Sequence, residues 1–245
     1  MVKLFFEEGS IRYTQLTRDR LKDAAEVGKS SFFKDETICK ALSLENNAVA
    51  IEELEELFVK AAEDGVSIIA IDNVNNSIVA VSFNKLQAKD YPDIEYYQKY
   101  SDRCSDETSQ AFLSFMKGTD LVIDMFEYCQ ADCYLEIMFL GVLSSHRGKS
   151  IAYNLCRASE TLAQILFSGE DVKQSITDGA PDLKPPPKFV SAIFTSRVSQ
   201  RIGQKLKMKV AGSANLDEWM YNGKTFAERL GCNITPIQYC YKMLQ

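Results

Sequence analysis

The sequence predicts a mixed α/β protein that folds as a single domain over residues 1–245, and three patterns lead to this class. A β-hairpin signal comes early, where "VSIIAID" and "SIVAVSFN" flank the turn "NVNN". The segment "CYLEIMFLGVL" is apolar on both faces, which is typical of a strand at the centre of a sheet. Late in the chain, strand-like and helix-like segments alternate, which indicates strand–helix–strand units.

The other elements follow from periodicity and from turn residues. Alternation predicts a first strand over 11–17, and apolar residues at helical spacing predict helices over 46–65 and about 150–168. Three further strands and one helix are predicted from the segments "FVSAIFTS", "VSQRIGQKL", "MKVAGSANL" and "PIQYCYKML". Residues 169–188 hold prolines and charges that a core strand excludes, so they are predicted to form a surface insertion.

Composition limits the classes of function. Of the 245 residues, 46% are hydrophobic, which is enough for one large core, and the formal net charge is -6. An acidic chain is a poor candidate for nucleic-acid binding and a plausible host for cationic substrates. The seven cysteines form no C-x-x-C pair, and no apolar run has the length of a leader or a membrane span. The sequence therefore predicts a soluble cytoplasmic protein with reduced thiols.

The single histidine, His146, narrows the chemistry. Ser-His-Asp and Cys-His catalysis, and most histidine-based metal sites, would have to depend on that one residue. We therefore expect no metal, and we expect carboxylates, hydroxyls or water to carry any acid–base chemistry.

A turn with glycine and lysine follows the central strand. Its residues 148–150 read "GKS", as in an ATP-binding phosphate loop, but that motif also needs a glycine where Leu143 stands. A helix that begins after this turn still presents unpaired N–H groups, which suit a pyrophosphate, and Arg147 and Lys149 add positive charge. The alternative is a plain turn with solvated charges.

Three segments resemble a known family. "VLSSHRGKSIAYNL" is similar to the acetyl-coenzyme-A motif [QR]-x-x-G-x-[GA] of the GNAT N-acetyltransferases, with Arg147 and Ala152 matching and Ser150 in place of the central glycine. "FFKDETICKAL" (32–42) resembles the "FFxDEPL" signature of the insect arylalkylamine N-acetyltransferase-like family, with Thr37 in place of proline. "TSRVSQRIGQKLKM" (195–208) resembles that family's "SxxxSxxxxxKLGF" segment, with Lys207 in place of glycine.

The resemblance implies a GNAT fold, with a mixed, mostly antiparallel central sheet of about seven strands flanked by helices. It implies acetyl-CoA as co-substrate and a direct attack of a primary amine, with Glu36, through water or directly, as the general base. It also points to hydroxyl groups at Thr195 and Ser199, of which Ser199 is a candidate donor to the leaving thiolate. The implied cofactor-binding residues are Leu140, Gly141, Val142, Arg147, Gly148, Lys149, Ser150, Ile151 and Ala152.

Several of these residues have a second interpretation. Glu36 also fits an acidic helix start, and Thr195 and Ser199 also fit helix capping. Glu136 is a rival base, because a carboxylate within an apolar strand must find a partner or face a cavity. Glu136 lies four residues before Leu140, which is roughly 13 Å along an extended strand. The resemblance places the thioester near the C-terminal end of this strand, so the distance favours a structural role for Glu136 over contact with the thioester.

The acceptor and the partners are less sharply predicted. The resemblance implies an aromatic amine such as dopamine, tyramine or serotonin, while agmatine or a polyamine stays open. The tyrosine-rich segment 91–100 either lines an amine pocket or, as we prefer, packs as an amphipathic helix. A CoA- or protein-binding module without turnover, and a protein N-acetyltransferase, are the alternative functions. No nucleic-acid or membrane partner is expected, and the chain is predicted to be a monomer or a weak homodimer.

Overall fold

The computed structural model describes residues 3–90, 94–179, 181, 184–231 and 234–245. One eight-stranded sheet has the order β1-β2-β3-β4-β5-β6-β10-β7, and β8 and β9 form a separate ribbon. All neighbours in the large sheet are antiparallel except β5 and β6, which are parallel. The strands are β1 (Leu4–Glu8), β2 (Ile11–Gln15), β3 (Ile68–Asp72), β4 (Ser77–Ala88), β5 (Cys133–Val142), β6 (Phe189–Phe194), β7 (Lys209–Ala214), β8 (Met220–Tyr221), β9 (Lys224–Thr225) and β10 (Ile237–Met243).

The mixed, mostly antiparallel sheet confirms the predicted fold class, with eight strands instead of about seven. In the large sheet, the strand that was not predicted is β1, a largely exposed edge strand whose sequence "LFFEE" does not alternate. The two-residue strands β8 and β9 of the ribbon were not predicted either. The predicted hairpin is formed by β3 and β4, and β5 is central, with partners on both sides. Central strands show a clear apolar signal, whereas a short edge strand does not.

Helices cover both faces of the sheet. On one face α8 buries Leu155, Ala158 and Leu162, and on the other face lies a cluster of stacked phenylalanines that includes Phe58 and Phe83. The helices are α1 (Leu21–Gly28), α2 (Thr37–Ala41), α3 (Ala48–Leu54), α4 (Glu56–Ala62), α5 (Ile94–Arg103), α6 (Glu107–Asp120), α7 (Met125–Cys129), α8 (Ile151–Phe167), α9 (Arg197–Lys205) and α10 (Phe226–Leu230).

The structure refines the predictions for the helix over 46–65 and for the tyrosine-rich segment 91–100. The helix predicted over 46–65 is divided at Glu55, where the N–H of Phe58 bonds to the Glu55 carbonyl in a tighter, three-residue turn. In the tyrosine-rich segment, residues 91–93 lie outside the described part of the chain. Tyr97 and Tyr100 are buried on α5, which favours packing over a role in an amine pocket.

The segment 169–188 contains no helix or strand among its described residues, yet it is tied to the body of the protein. The N–H of Gln174 bonds to the Gly65 carbonyl at 3.0 Å, and Ile176 is buried. Lys184 Nζ lies 2.7 Å from Asp64 Oδ1, with both side chains almost fully buried. Lys184 also donates to the Leu86 carbonyl of β4, so the predicted insertion is anchored to β4 and to the turn between α4 and β3 and is only partly a surface feature.

The sheet opens at the middle of β5, and this opening positions the candidate site. Parallel pairing of β5 with β6 covers Leu135–Ile137 and ends at the pair Ile137–Ala192. On the other side, Ile137 pairs with Asn84 and Phe139 with Phe83, so Met138 is an extra, bulged residue. A bulge re-aims the side chains that follow it, and such bulges are common beside active sites.

In the described part of the chain, no helix combines the length and the apolar character needed to cross a membrane.

Candidate active site

A cleft lies where β5 and β6 separate. Its volume is about 940 Å³ including the open mouth, and residues from α2, α6, β5, β6 and α9 line it. Apolar side chains form most of the wall, among them Phe32, Ile38, Phe112, Phe115, Met138 and Phe139. The polar lining residues are Glu36, Thr119, Asp120, Glu136, Thr195 and Ser199. The three residues predicted to be catalytic therefore share one cleft.

Glu36 stands at the N-terminus of α2, where it caps the helix and also lines the cleft, and its role as general base stays a prediction. One carboxylate oxygen accepts hydrogen bonds from the N–H groups of Ile38 (2.7 Å) and Cys39 (3.0 Å), which caps the helix. The other oxygen accepts a hydrogen bond of 2.6 Å from the Thr195 hydroxyl, at the end of β6. The carboxylate is thereby held in a fixed position across the cleft.

Burial raises the pKa of Glu36 above its ordinary value, while the bonds from Thr195, Cys39 and Ile38 oppose the rise. The residue keeps partial exposure, although its carboxyl group lies deep within the surrounding protein. A raised pKa makes a carboxylate a stronger base than an exposed glutamate. The site is therefore suited to accept a proton from a bound group.

The two hydroxyl residues have different contacts. Ser196 is the N-cap of α9, and Ser199 completes a capping box with it: the Ser199 hydroxyl accepts from the Ser196 N–H (3.1 Å) and donates to the Ser196 carbonyl (3.0 Å). Thr195 donates to Glu36. Helix capping thus accounts for the contacts of Ser199, which also lines the cleft, and its role as a donor stays a prediction.

Glu136 both finds a partner and faces a cavity. It is 8% exposed, and its Oε2 accepts a hydrogen bond of 2.8 Å from Gln87 Nε2. It pairs with Ser191 in the short parallel ladder, at the closed end of the opening. Glu136 lines the same cleft as Glu36, and its role in substrate binding or structure stays a prediction.

The turn after β5 is exposed at 147–150 and has two residues with left-handed backbone, Gly148 (φ 77°) and Ser150 (φ 58°). Helix α8 starts directly after it, and its first helical bond runs from the Asn154 N–H to the Ser150 carbonyl. The amides at 151–153 therefore precede the intrahelical ladder and are directed outward. This is the arrangement expected of an anion site.

Arg147 links this turn to the start of α2. Its guanidinium contacts Asp35 Oδ2 at 2.5 Å and donates to the Val142 carbonyl at 3.2 Å. The same hydrogen bond holds the pKa of Asp35 below its ordinary value. An ion pair therefore joins Arg147 of the turn to Asp35, the residue next to Glu36.

The strand residues predicted to bind the cofactor differ in surroundings. Leu140 lines the cleft, and Val142 is half-buried beside the turn. A Cβ at Gly141 would lie 2.1 Å from Ser31 Oγ and 3.2 Å from the Phe32 amide nitrogen. The contact with the helical turn over 29–33 therefore explains the glycine at this position.

Ser150→Gly is expected to raise the free energy of unfolding by about 0.5–1 kcal/mol, because serine is strained at a positive φ that glycine adopts freely. Ser150 makes no side-chain capping bond, so the substitution removes no contact at the helix start. Urea unfolding measures the change. Ser150→Ala is the matched control and should stay within a few tenths of a kcal/mol of the parent; equal stability of the glycine and alanine variants would contradict the account.

Some lining residues were not singled out in the sequence. They are Thr119 and Asp120, which lie at the C-terminal end of α6. Among the residues that the structure describes, no group of three or more His, Cys, Asp or Glu side chains could hold a metal. His146 lies 3.4 Å from Asp72, outside the lining of the cleft.

A bulged central strand, a parallel pair that separates, and a helix start with free amides together define the GNAT fold. Solved structures with this fold match nearly the whole chain. They include arylalkylamine N-acetyltransferase 2 from Aedes aegypti (23% identity, 97% of this chain and 100% of that one, TM-score 0.77). A mosquito arylalkylamine N-acetyltransferase-like protein 5b (17%, 96% and 100%, 0.75) and a Drosophila melanogaster polyamine N-acetyltransferase (17%, 96% and 100%, 0.69) are also similar.

No family model matches the chain, and no curated protein matches it. The similarity to the solved structures shows that the chain has the GNAT fold, in a form that resembles the insect arylalkylamine N-acetyltransferases, as the sequence motifs imply.

Proposed function

We propose that this protein transfers the acetyl group of acetyl-CoA to the primary amine of a small molecule. The observation that carries the proposal is the carboxylate of Glu36, held by three hydrogen bonds in the cleft where β5 and β6 separate. The cited structures with the same fold are N-acetyltransferases by name, which supports this class of reaction.

The turn and the separated strand would hold acetyl-CoA. The outward-directed amides at 151–153 and the charges of Arg147 and Lys149 suit the pyrophosphate. Beyond Ile137, β5 no longer pairs with β6, so its backbone edge, including Leu140, is available to the amide groups of the pantetheine arm. Gly148 and Ser150 shape the turn, and Ile151 and Ala152 supply the first amides of α8.

The chemistry follows from what Glu36 and the hydroxyls offer. Glu36 accepts a proton from the incoming ammonium, directly or through water, which frees the nitrogen lone pair. That nitrogen bonds to the thioester carbon, the carbon–sulfur bond breaks, and the sulfur leaves as a thiolate; the nitrogen gives up its second proton, the thiolate takes up one proton, and the products are the neutral amide and the CoA thiol. Thr195 positions Glu36, and Ser199 is the proposed hydroxyl beside the departing sulfur.

An arylalkylamine fits the apolar part of the cleft. Phe32, Phe112 and Phe115 offer surface for an aromatic or aliphatic body, while Glu36 attracts the ammonium. The test is thiol release from acetyl-CoA with tyramine, dopamine, serotonin, agmatine and spermidine, with the product identified by mass spectrometry. Saturable release with an amine supports the proposal. CoA binding without release for every amine would favour the alternative, a CoA-binding module, and a protein acceptor would then be tested with peptides.

Lys149→Ala is expected to weaken CoA binding about 3- to 10-fold, because an exposed lysine contributes a modest, salt-sensitive attraction to phosphate. The dissociation constant is measured by calorimetry at low and high salt, and the difference from the parent should shrink as salt rises. Lys224→Ala, at an exposed lysine of β9 outside the cleft lining, is the control. An unchanged constant in Lys149→Ala at low salt would contradict the assignment of the turn.

A cytoplasmic location and a monomeric or weakly dimeric state remain part of the proposal.

A further inference from the structure

A π turn leads from α1 to Glu36. Helix α1 passes without a break into a π turn over Lys29–Phe33, and the Glu36 N–H bonds to the Phe32 carbonyl at 2.9 Å. A π turn holds one residue more than an α-helical turn, so it rotates the residues that follow by roughly 100°, the rotation per residue of an α-helix. The π turn therefore sets the direction in which Glu36 enters the cleft.

Two serine hydroxyls bond to the backbone of this segment. Ser30 Oγ donates to the Glu26 carbonyl at 2.8 Å, and Ser31 Oγ donates to the Val27 carbonyl at 2.5 Å. Bonds of this kind, from a side chain to the carbonyl four residues earlier, bend helices. Ser30 is exposed, whereas Ser31 is 2% exposed. The two serines thus make the same bond in opposite surroundings.

Ser31 lies against Gly141 of β5, and the fit leaves no room for a side chain there. A Cβ at Gly141 would lie 2.1 Å from Ser31 Oγ and 3.2 Å from both Ser31 Cβ and the Phe32 amide nitrogen. The glycine lies in regular strand backbone paired with Val81, so its φ does not require glycine. The close approach of the π turn requires it instead, and the contact sets how near the turn lies to the strand.

The contact joins the proposed base to the proposed cofactor strand. At the C-terminal end of β5, which no longer pairs with β6, Leu140 lines the cleft directly before Gly141. Phe32 of the π turn also lines the cleft and packs on Phe139 of the same strand, with ring centroids 5.3 Å apart. Because protein interiors are packed as densely as organic crystals, a displacement of the turn moves Glu36 relative to the edge of the strand.

We propose that Ser31 and Gly141 are positioning residues, whose contact seats the π turn on β5 and thereby fixes the distance between the Glu36 carboxylate and the strand edge proposed to hold the acetyl donor. This inference rests on the proposed acetyl transfer and adds to it the element that keeps the base within reach of the thioester. A misplacement of about 1 Å in a reacting group costs up to about 100-fold in rate. The contact therefore acts on kcat more than on the affinity for either substrate.

The test is a double-mutant cycle, measured as thiol release from acetyl-CoA at saturating tyramine. Gly141→Ala places a Cβ against Ser31 Oγ and should lower kcat about 10- to 100-fold. Ser31→Ala removes that oxygen, so the double variant should recover to within about threefold of Ser31→Ala alone. Ser30→Ala removes the same kind of hydrogen bond at an exposed position, so it is the matched control and should leave kcat within about twofold of the parent.

Two results would overturn the proposal. One is an unchanged kcat in Gly141→Ala. The other is a loss that Ser31→Ala does not reverse, because Gly141 would then act through the strand or the cofactor alone. If Gly141→Ala does not fold, Ser31→Cys places a larger atom against the glycine and should lower kcat about 3- to 10-fold, and an unchanged kcat in that variant would be the contradicting result.

Hydrogen exchange separates this proposal from the proposed function, because it needs no turnover. The Ile38 and Cys39 amides bond to Glu36, so their exchange reports whether the carboxylate keeps its place. Exchange at these amides should accelerate in Gly141→Ala and return to the parent rate in the double variant. If no amine is acetylated, acetyl transfer fails, yet this pattern would still support the contact. Exchange at the parent rate in Gly141→Ala would overturn it.

Discussion

Glu36→Gln should lower kcat for acetyl transfer about 10²- to 10⁴-fold while the dissociation constant of CoA stays nearly unchanged. Glutamine has the size of glutamate, and its carbonyl oxygen can still accept from the Ile38 and Cys39 amides that it caps. Its amide group cannot take up a proton, so the substrate ammonium keeps its own. Initial rates of thiol release with a saturating amine give kcat, and calorimetry gives the affinity for CoA.

A companion substitution tests the same base through its pKa. Burial raises the pKa of Glu36 and the Thr195 hydrogen bond lowers it, so Thr195→Val should raise it further. The base works only when deprotonated, so kcat/KM falls as pH drops through this pKa, and the acidic limb should move to higher pH in Thr195→Val. Asp35→Asn is the control at the neighbouring carboxylate, which pairs with Arg147.

Full turnover by Glu36→Gln would contradict the assignment of Glu36 as the base and direct attention to Glu136 or to water alone.

Asp64→Ala should lower the free energy of unfolding by about 3–5 kcal/mol, because it leaves two buried ammonium groups without the carboxylate that they share. Asp64 contacts Lys184 at 2.7 Å and Lys85 at 3.4 Å, and it accepts the Leu86 N–H at 2.8 Å. All three charged side chains are at most 6% exposed. Chemical denaturation followed by fluorescence or circular dichroism measures the loss.

Asp178→Ala is the matched control for this ion cluster. Asp178 lies on the same insertion, and its pair with Arg18 is largely exposed, so its removal should cost less than about 0.5 kcal/mol. Equal effects of the two substitutions would show that the buried cluster does not stabilise the fold. The cluster also anchors Lys184 to the Leu86 carbonyl of β4, so we expect limited proteolysis in the segment 169–188 to accelerate in Asp64→Ala.

Much of the fold was predictable because its strongest signals are local. The apolar run of β5 and the turn between β3 and β4 are visible in a few consecutive residues, and both predictions are confirmed. The edge strand β1 was missed because its short sequence has no alternation. The interruption at Glu55 was missed because the apolar spacing continues across it.

The residues of the site also fall into two groups: some have a local sequence signal, and others are brought to the site only by the fold. The turn 147–150 and Glu36 were identified from motifs, and the structure places both around one end of β5, joined through Arg147 and Asp35. Thr119 and Asp120 were not identified, because each follows an ordinary helical pattern locally and reaches the cleft only through the placement of α6 in the fold. The bulge at Met138 depends on the register with β4 and has no local signal.

Hydrogen exchange of the protein with and without CoA tests where the cofactor binds, because the proposed pyrophosphate ligands are backbone amides. CoA should slow exchange at 148–153 and along the unpaired end of β5, with little change in β1 to β3. Protection confined to another region, or no protection at saturating CoA, would contradict the placement of the cofactor in the opening between β5 and β6.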